Sequence, residues 1–275
     1  MNYCKSILIC GGDKRQIYMY KMMLAEGFNV STCALGTSGD VPISSAGNYD
    51  VVVFPVPVST DGVFLNAPLS EGEIKLDDIF HNMAAYQTVL GGMCKGHNYN
   101  MTDYYDSERV KMRNAIPTAE GALRIAMENC DFTISGSKCL VAGFGRIGKV
   151  LSKRLHDMGA EVCVAARKKS DRALAEVMGA KTADFQALPD IINTYDIIFN
   201  TVPKTVIDSE MLGKIGKSVL MIDLASRPYG IDMTAARALG RRVIIASGLP
   251  GKFSPKSSAK ILKDAITDIL YEMEV

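Results

Sequence analysis

The hexapeptide Gly143-Phe144-Gly145-Arg146-Ile147-Gly148 constrains the fold more than any other stretch of the chain. It follows the apolar run Lys138–Ala142 and leads into the amphipathic stretch Ile147–Met158, so a strand precedes it and a helix follows. In that setting the glycines have separate duties. Gly143 permits the tight turn out of the strand, Gly145 lets the backbone approach a pyrophosphate, and Gly148 lets the helix pack closely on the sheet. The helix start at Arg146 and Ile147 offers free N–H groups and the positive end of a dipole to an anion. A second strand, Glu161–Ala165, follows at the spacing of a βαβ unit. These features predict a dinucleotide-binding Rossmann domain, and with it an oxidoreductase acting on a small molecule.

The end of that second strand discriminates between nucleotides. A domain that takes NAD usually presents a carboxylate there, about 20 residues past the glycine turn, to the ribose hydroxyls. Here the strand runs out into Ala166-Arg167-Lys168-Lys169-Ser170. Arg167 can stack on adenine and pair with a 2′-phosphate, with Lys168 adding a second cation, so the position favours NADP over NAD. The competing assignment is a solvated charge run. Two later strand ends complete the expected site. Thr201-Val202-Pro203-Lys204 follows YDIIFN and would edge the nicotinamide ribose. Asp223, which ends SVLMID, and Ser226 beyond it would approach the nicotinamide, a turn cap being the alternative for Asp223.

The remaining pattern also alternates strands with helices. Lys5–Cys10, Phe28–Leu35, Asp50–Phe54 and Gln87–Leu90 read as strands, and Lys14–Glu26 and Leu76–Ala85 as helices. The predicted class is therefore α/β: two Rossmann-like αβα domains with parallel sheets and a cleft between them. Residues 1–115 form a flavodoxin- or Rossmann-like substrate domain, joined by a C-terminal helix over 255–275, and residues 116–254 form the nucleotide domain. The polar, tyrosine-rich tract Lys95–Asn114 breaks the rhythm, and a helix linking the domains is expected to begin at Pro117. A homodimer through that apolar helix stays open.

A net charge of +1 gives no field to attract nucleic acid, and no apolar run is long enough for a membrane span. The seven cysteines (Cys4, Cys10, Cys33, Cys94, Cys130, Cys139, Cys163) show no metal-ligand spacing and suit reduced thiols in the cytoplasm. No metal is expected.

Several segments carry a resemblance covering the whole chain: GGDKRQ (Gly11–Gln16), VVVFPVPVSTDG (Val51–Gly62), NAIPTAEGAL (Asn114–Leu123), GFGRIGKVL (Gly143–Leu151) and GLPGKFSPKSSAKIL (Gly248–Leu262). Together they resemble the dipicolinate synthase A-subunit family, although Ser257-Ser258-Ala259-Lys260 departs from the glycine-bearing helix start expected there. The resemblance implies oxidation of a cyclic dicarboxylate of the lysine pathway to dipicolinate, with a nicotinamide nucleotide as hydride acceptor. It implies a partner, the flavoprotein-like dipicolinate synthase B-subunit, and a place in the mother cell of a sporulating bacterium.

Such a substrate needs cations around its carboxylates. Lys14, Arg15, Asn114, Arg227 and Ser254 are the candidate substrate contacts. Thr118, Glu120 and Lys252 are the candidate catalytic residues, Glu120 as proton acceptor; helix capping is the competing reading of Thr118 and Glu120. Two alternatives remain. A 2-hydroxyacid-type dehydrogenase would need a histidine near the end of the nucleotide domain, and Ala246–Pro255 has none; His81, His97 and His156 lie elsewhere. A nucleotide-binding regulatory protein without turnover needs no base at all.

Overall fold

The computed structural model describes residues 5–273, which leaves Cys4 outside the described residues. The chain divides into two units, Met1–Asn114 with Pro250–Val275, and Ala115–Leu249.

In unit 1 the order is β1 (Ser6–Cys10), α1 (Lys14–Ala25), β2 (Asn29–Cys33), β3 (Val51–Val53), α2 (Leu76–His81), β4 (Thr88–Gly91) and β5 (Thr102–Asp103). The strands pair in parallel in the order β2-β1-β3-β4-β5, a flavodoxin-like arrangement. Alternation along β1 explains why both faces are covered. Ile7 and Ile9 join Met19 and Met23 of α1 in one buried cluster, while Leu8 and Cys10 join Phe54, Leu76 and Ile79 in another. The three methionines of α1, Met19, Met22 and Met23, thus serve the core. The last helix, α10 (Pro255–Glu272), places Ile261, Leu262 and Ile266 in the same cluster as Met19. Lys263, almost wholly buried, pairs with Glu26 at 2.5 Å.

The linking helix begins earlier than the sequence predicts. α3 runs Glu108–Asn129 with Pro117 inside it, so Pro117 is an interior residue and not a start. An interior proline forfeits one backbone hydrogen bond, at about 3 kcal/mol. Burial of Val110, Ala115, Ala119, Ala122 and Leu123 on either side of it offsets that cost. A consequence is that neither Thr118 nor Glu120 can cap the helix.

Unit 2 continues with β6 (Lys138–Ala142), α4 (Arg146–Asp157), β7 (Glu161–Ala165), α5 (Lys169–Val177), β8 (Lys181–Ala183), α6 (Leu188–Ile191), β9 (Ile197–Asn200), α7 (Ser209–Lys214), β10 (Leu220–Asp223), α8 (Met233–Ala238) and β11 (Arg242–Ile245). Its six parallel strands lie in the order β8-β7-β6-β9-β10-β11. That is the Rossmann order, which reverses between β6 and β9 and opens a crevice at their carboxyl ends. Leu140, Cys163, Ile198 and Met221 form the core on one side with Leu188 and Leu212.

The boundary between α9 (Leu249–Phe253) and the nucleotide domain also differs from expectation, because residues 250–254 fall in unit 1. The physical reason is Gly251. A Cβ there would stand 2.5 Å from Asp13 Oδ2 and 3.0 Å from Arg15 Nε, so the LPGKF segment rests directly on the first glycine turn of unit 1. Gly251→Ala is expected to force that pair apart and cost about 1–3 kcal/mol, read as a lowered urea midpoint. An unchanged midpoint would show the contact to be slack.

The six described cysteines are free, and all but Cys130 are buried. Burial pushes the Cys139 thiol up to about 11, as suits an inert core residue. Among the described residues no cluster could hold a metal ion, and no helix is long and apolar enough to cross a membrane.

Candidate dinucleotide site

Each glycine of the turn after β6 has a distinct physical reason to be there. Gly143 sits at φ +101°, and a Cβ on it would collide with Thr201 Oγ1 and approach Val202 Cγ2 to 2.8 Å. Gly148, in the first turn of α4, has no room for a Cβ because the Gly143 carbonyl occupies it. Gly145, the N-cap of α4, differs: its φ is −76° and no protein atom lies within 4 Å of where its Cβ would be. Two glycines are demanded by the protein's own packing. The third leaves space above a helix N-terminus, which is what a pyrophosphate requires. The Thr201 amide and Oγ1 donate to the Ala142 carbonyl at 2.8 and 3.0 Å, tying the turn after β9 to the end of β6.

A cavity of 840 Å³ opens beside these turns. Gly143, Phe144 and Gly145 line it at one strand end, Ala166, Arg167 and Lys168 at the second, and Thr201, Val202 and Pro203 at the third. These are the carboxyl ends of β6, β7 and β9, so the structure gathers the expected glycine turn, cation turn and ribose edge around one space. Arg146 and Ile147 form the start of α4 beside it. Lys204, next in the expected ribose edge, also lines it; Asp171, Phe185, Thr205 and Val206 complete the lining and were not among the expected cofactor contacts. Phe185 follows β8, a three-residue strand with too little apolar pattern to announce itself.

Asp223 takes the turn-capping role, the alternative to a nicotinamide contact. It is fully buried, and its carboxylate accepts from Asn200 Nδ2 (2.8 Å) and from the amides of Ala225 (3.0 Å), Gly230 (2.9 Å) and Ile231 (3.1 Å). With its lone pairs so committed it organises the turn after β10, and it lies outside the cavity lining. Ser226 and Arg227 are exposed on that turn, outside the cavity lining, with Arg227 Nε 3.4 Å from the Tyr229 hydroxyl.

The residues of α3 are also placed differently. Thr118 is 9% exposed within the helix, and Glu120 faces outward with its carboxylate 3.0 Å from Arg154 Nη2. A surface carboxylate already engaged with a guanidinium is a poor candidate for the proton acceptor. Glu120→Gln is expected to shift stability by no more than about 1 kcal/mol and to leave turnover within about twofold. A hundredfold fall in kcat would restore Glu120 as the base.

In unit 1 the glycine turn after β1 cannot act as a second phosphate cradle. The Asp13 carboxylate accepts from the Arg15 amide at 2.9 Å at the start of α1, where an anion would otherwise sit. Arg15 is committed too: Nε and Nη2 pair with Asp13, and Nη2 donates to the Val56 carbonyl at 2.8 Å. Lys14 is exposed, Asn114 Nδ2 donates to the Tyr105 hydroxyl at 2.8 Å, and Lys252 Nζ stands 5.1 Å from the Phe253 ring. Ser254 is the N-cap of α10, without a side-chain cap bond.

Comparison with known proteins agrees with both units. Residues 6–113 match the N-terminal domain of the dipicolinate synthase A-subunit, and residues 113–236 match the NAD-binding domain of D-isomer specific 2-hydroxyacid dehydrogenases. The fold, the glycine cradle and these matches define a two-domain NAD(P)-dependent oxidoreductase. Within that class the chain is similar from end to end to the A-subunit of dipicolinate synthase. It is 26% identical to that of Bacillus subtilis over 98% of its own length and 96% of the relative's. The crystal structure of the A-subunit from Bacillus halodurans superposes with a TM-score of 0.88 at 26% identity, covering 97% of each chain. A transhydrogenase from Sinorhizobium meliloti shares the fold at TM-score 0.72 and 14% identity, over 97% of this chain and 94% of that one.

Proposed function

We propose that this chain is the nucleotide-binding subunit of a dipicolinate synthase, oxidising a ring CH–CH bond of dihydro- or tetrahydrodipicolinate with NADP. The reading rests chiefly on one observation: the similarity to the A-subunit runs through both units and not the nucleotide domain alone. Loss of hydride and a proton from the dihydro ring gives the aromatic product. The nucleotide supplies the hydride acceptor, and the chain's residues supply orientation. The glycine turn positions the pyrophosphate over α4, and Lys14, the exposed cation of the first unit's turn, is available to a substrate carboxylate. The partner would be a flavoprotein-like B-subunit, in the mother cell of a sporulating bacterium. The absence of histidine from Ala246–Pro255 disfavours a 2-hydroxyacid dehydrogenase.

The test is spectrophotometric. With the cyclic dicarboxylate and the B-subunit present, NADPH absorbance is expected to rise as dipicolinate forms. Turnover of a 2-hydroxy acid by the chain alone would overturn the assignment, and nucleotide binding with no turnover under any condition would point to a regulatory role. For cofactor choice, Arg167→Ala combined with Lys168→Ala is expected to weaken NADPH binding about 100-fold, the effect of removing two charge-assisted hydrogen bonds. NADH binding should change little. Equal weakening of both would remove the argument for NADP.

A further inference from the structure

We infer that Arg172 is a positioning residue for cofactor choice, shaping the turn that meets the 2′-phosphate end of the nucleotide. The inference rests on the NADP reading above. Arg172 lies one helical turn beyond Lys168, and its Nη1 reaches back to the Ala166 carbonyl at 2.6 Å and the Arg167 carbonyl at 3.0 Å. The same nitrogen donates to Asp184 Oδ2 at 2.8 Å. The guanidinium is largely buried, with 19% of the side chain exposed.

Three acceptors thus converge on one side chain, at the turn that carries two of the three cations lining the cavity. The Ala166 amide already donates to the Ala183 carbonyl at 3.1 Å, so the peptides on both sides of Ala166 are held. With the carbonyls of residues 166 and 167 turned to Arg172, the Arg167 and Lys168 side chains are presented to the cavity they line. Asp184, at the far end of β8, anchors the guanidinium, and its other oxygen accepts from the Gln186 amide at 3.1 Å. The two strand ends flanking the adenine side are therefore locked together. Arg suits the task because its rigid planar guanidinium fixes where Nη1 sits among the three acceptors; a lysine would offer one mobile point charge. A turn left to several conformations would still present cations, but their average position would no longer match a phosphate, and the preference for NADPH would fall.

The experiment is a comparison of NADPH and NADH dissociation constants for the full chain by fluorescence titration, with thermal melts alongside. Arg172→Gln is expected to weaken NADPH about tenfold, equivalent to one charge-assisted hydrogen bond, while NADH shifts less than about twofold. Arg172→Lys should fall between. Asp184→Asn, which keeps an acceptor for Gln186, should move selectivity in the same direction with a melting temperature near that of wild type. Equal weakening of both nucleotides would mark Arg172 as merely structural and overturn the inference. So would a preference for NADPH that survives all three substitutions. A wild type that binds NADH more tightly would instead overturn the NADP reading, and this inference with it.

Discussion

Gly148→Ala is expected to abolish nucleotide binding and destabilise unit 2, whereas Gly145→Ala is expected to abolish binding alone. The two residues sit three positions apart in one turn, and only the space around them differs. A methyl on Gly148 meets the Gly143 carbonyl, which is backbone and cannot rotate away. The helix must lift off the strand, at about 1–3 kcal/mol, and a domain this size loses about 2–4 °C of melting temperature per kcal/mol. The Gly145 methyl meets no protein atom, and its φ of −76° suits alanine. Its fold should therefore hold to within about 1 kcal/mol, while the methyl occupies the approach a pyrophosphate needs. Thermal melts and an NADPH titration on both variants check this. Tight binding by the Gly145 variant would mean that the nucleotide does not cross the start of α4.

That contrast also marks how far the site is legible in the sequence. The glycine turn is legible because its requirements are local: a strand, a turn and a helix in a fixed order, each visible in the apolar pattern. The cation turn is legible for the same reason, being simply the end of the next strand. Arg172 is not, because its role depends on which carbonyls face it, and that is decided by the pairing of β7 with β8. The α3 residues mislead for a related reason. A proline in sequence reads as a helix start, and only the burial of Val110 and Ala115 shows why the helix runs through Pro117. In sequence GGDKRQ offers two candidate substrate contacts and LPGKF a candidate catalytic lysine; the structure shows the two segments holding each other, Gly251 resting on the Asp13–Arg15 pair.

Asp223→Ala is expected to cost about 3–5 kcal/mol, since several buried donors lose their acceptor at about 1–3 kcal/mol each, and to lower the melting temperature by roughly 10 °C. The carboxylate is fully buried and answers four donors, one side-chain amide and three backbone amides. Truncation leaves the three backbone amides without an acceptor in a dry place and takes from Asn200 Nδ2 one of its two, the Val202 carbonyl remaining. Gly230 cannot relieve this by moving inward, since even a Cβ there would collide with Asn200 and the Val202 carbonyl. The same network reaches the nucleotide site, because the Asn200 side chain donates to the Val202 carbonyl at 3.0 Å and accepts from the Val202 amide at 3.1 Å. Loss of Asp223 should therefore loosen the Thr201–Pro203 edge and weaken nucleotide binding in proportion to the loss of stability. Asp223→Asn should be nearly as damaging, since its amide group presents hydrogens to donors already facing it. A direct contact with the cofactor predicts the opposite pattern: turnover lost, with the melting temperature unchanged. Measuring both on one variant decides whether Asp223 acts on the ligand or, as its four bonds indicate, on the turn that frames it.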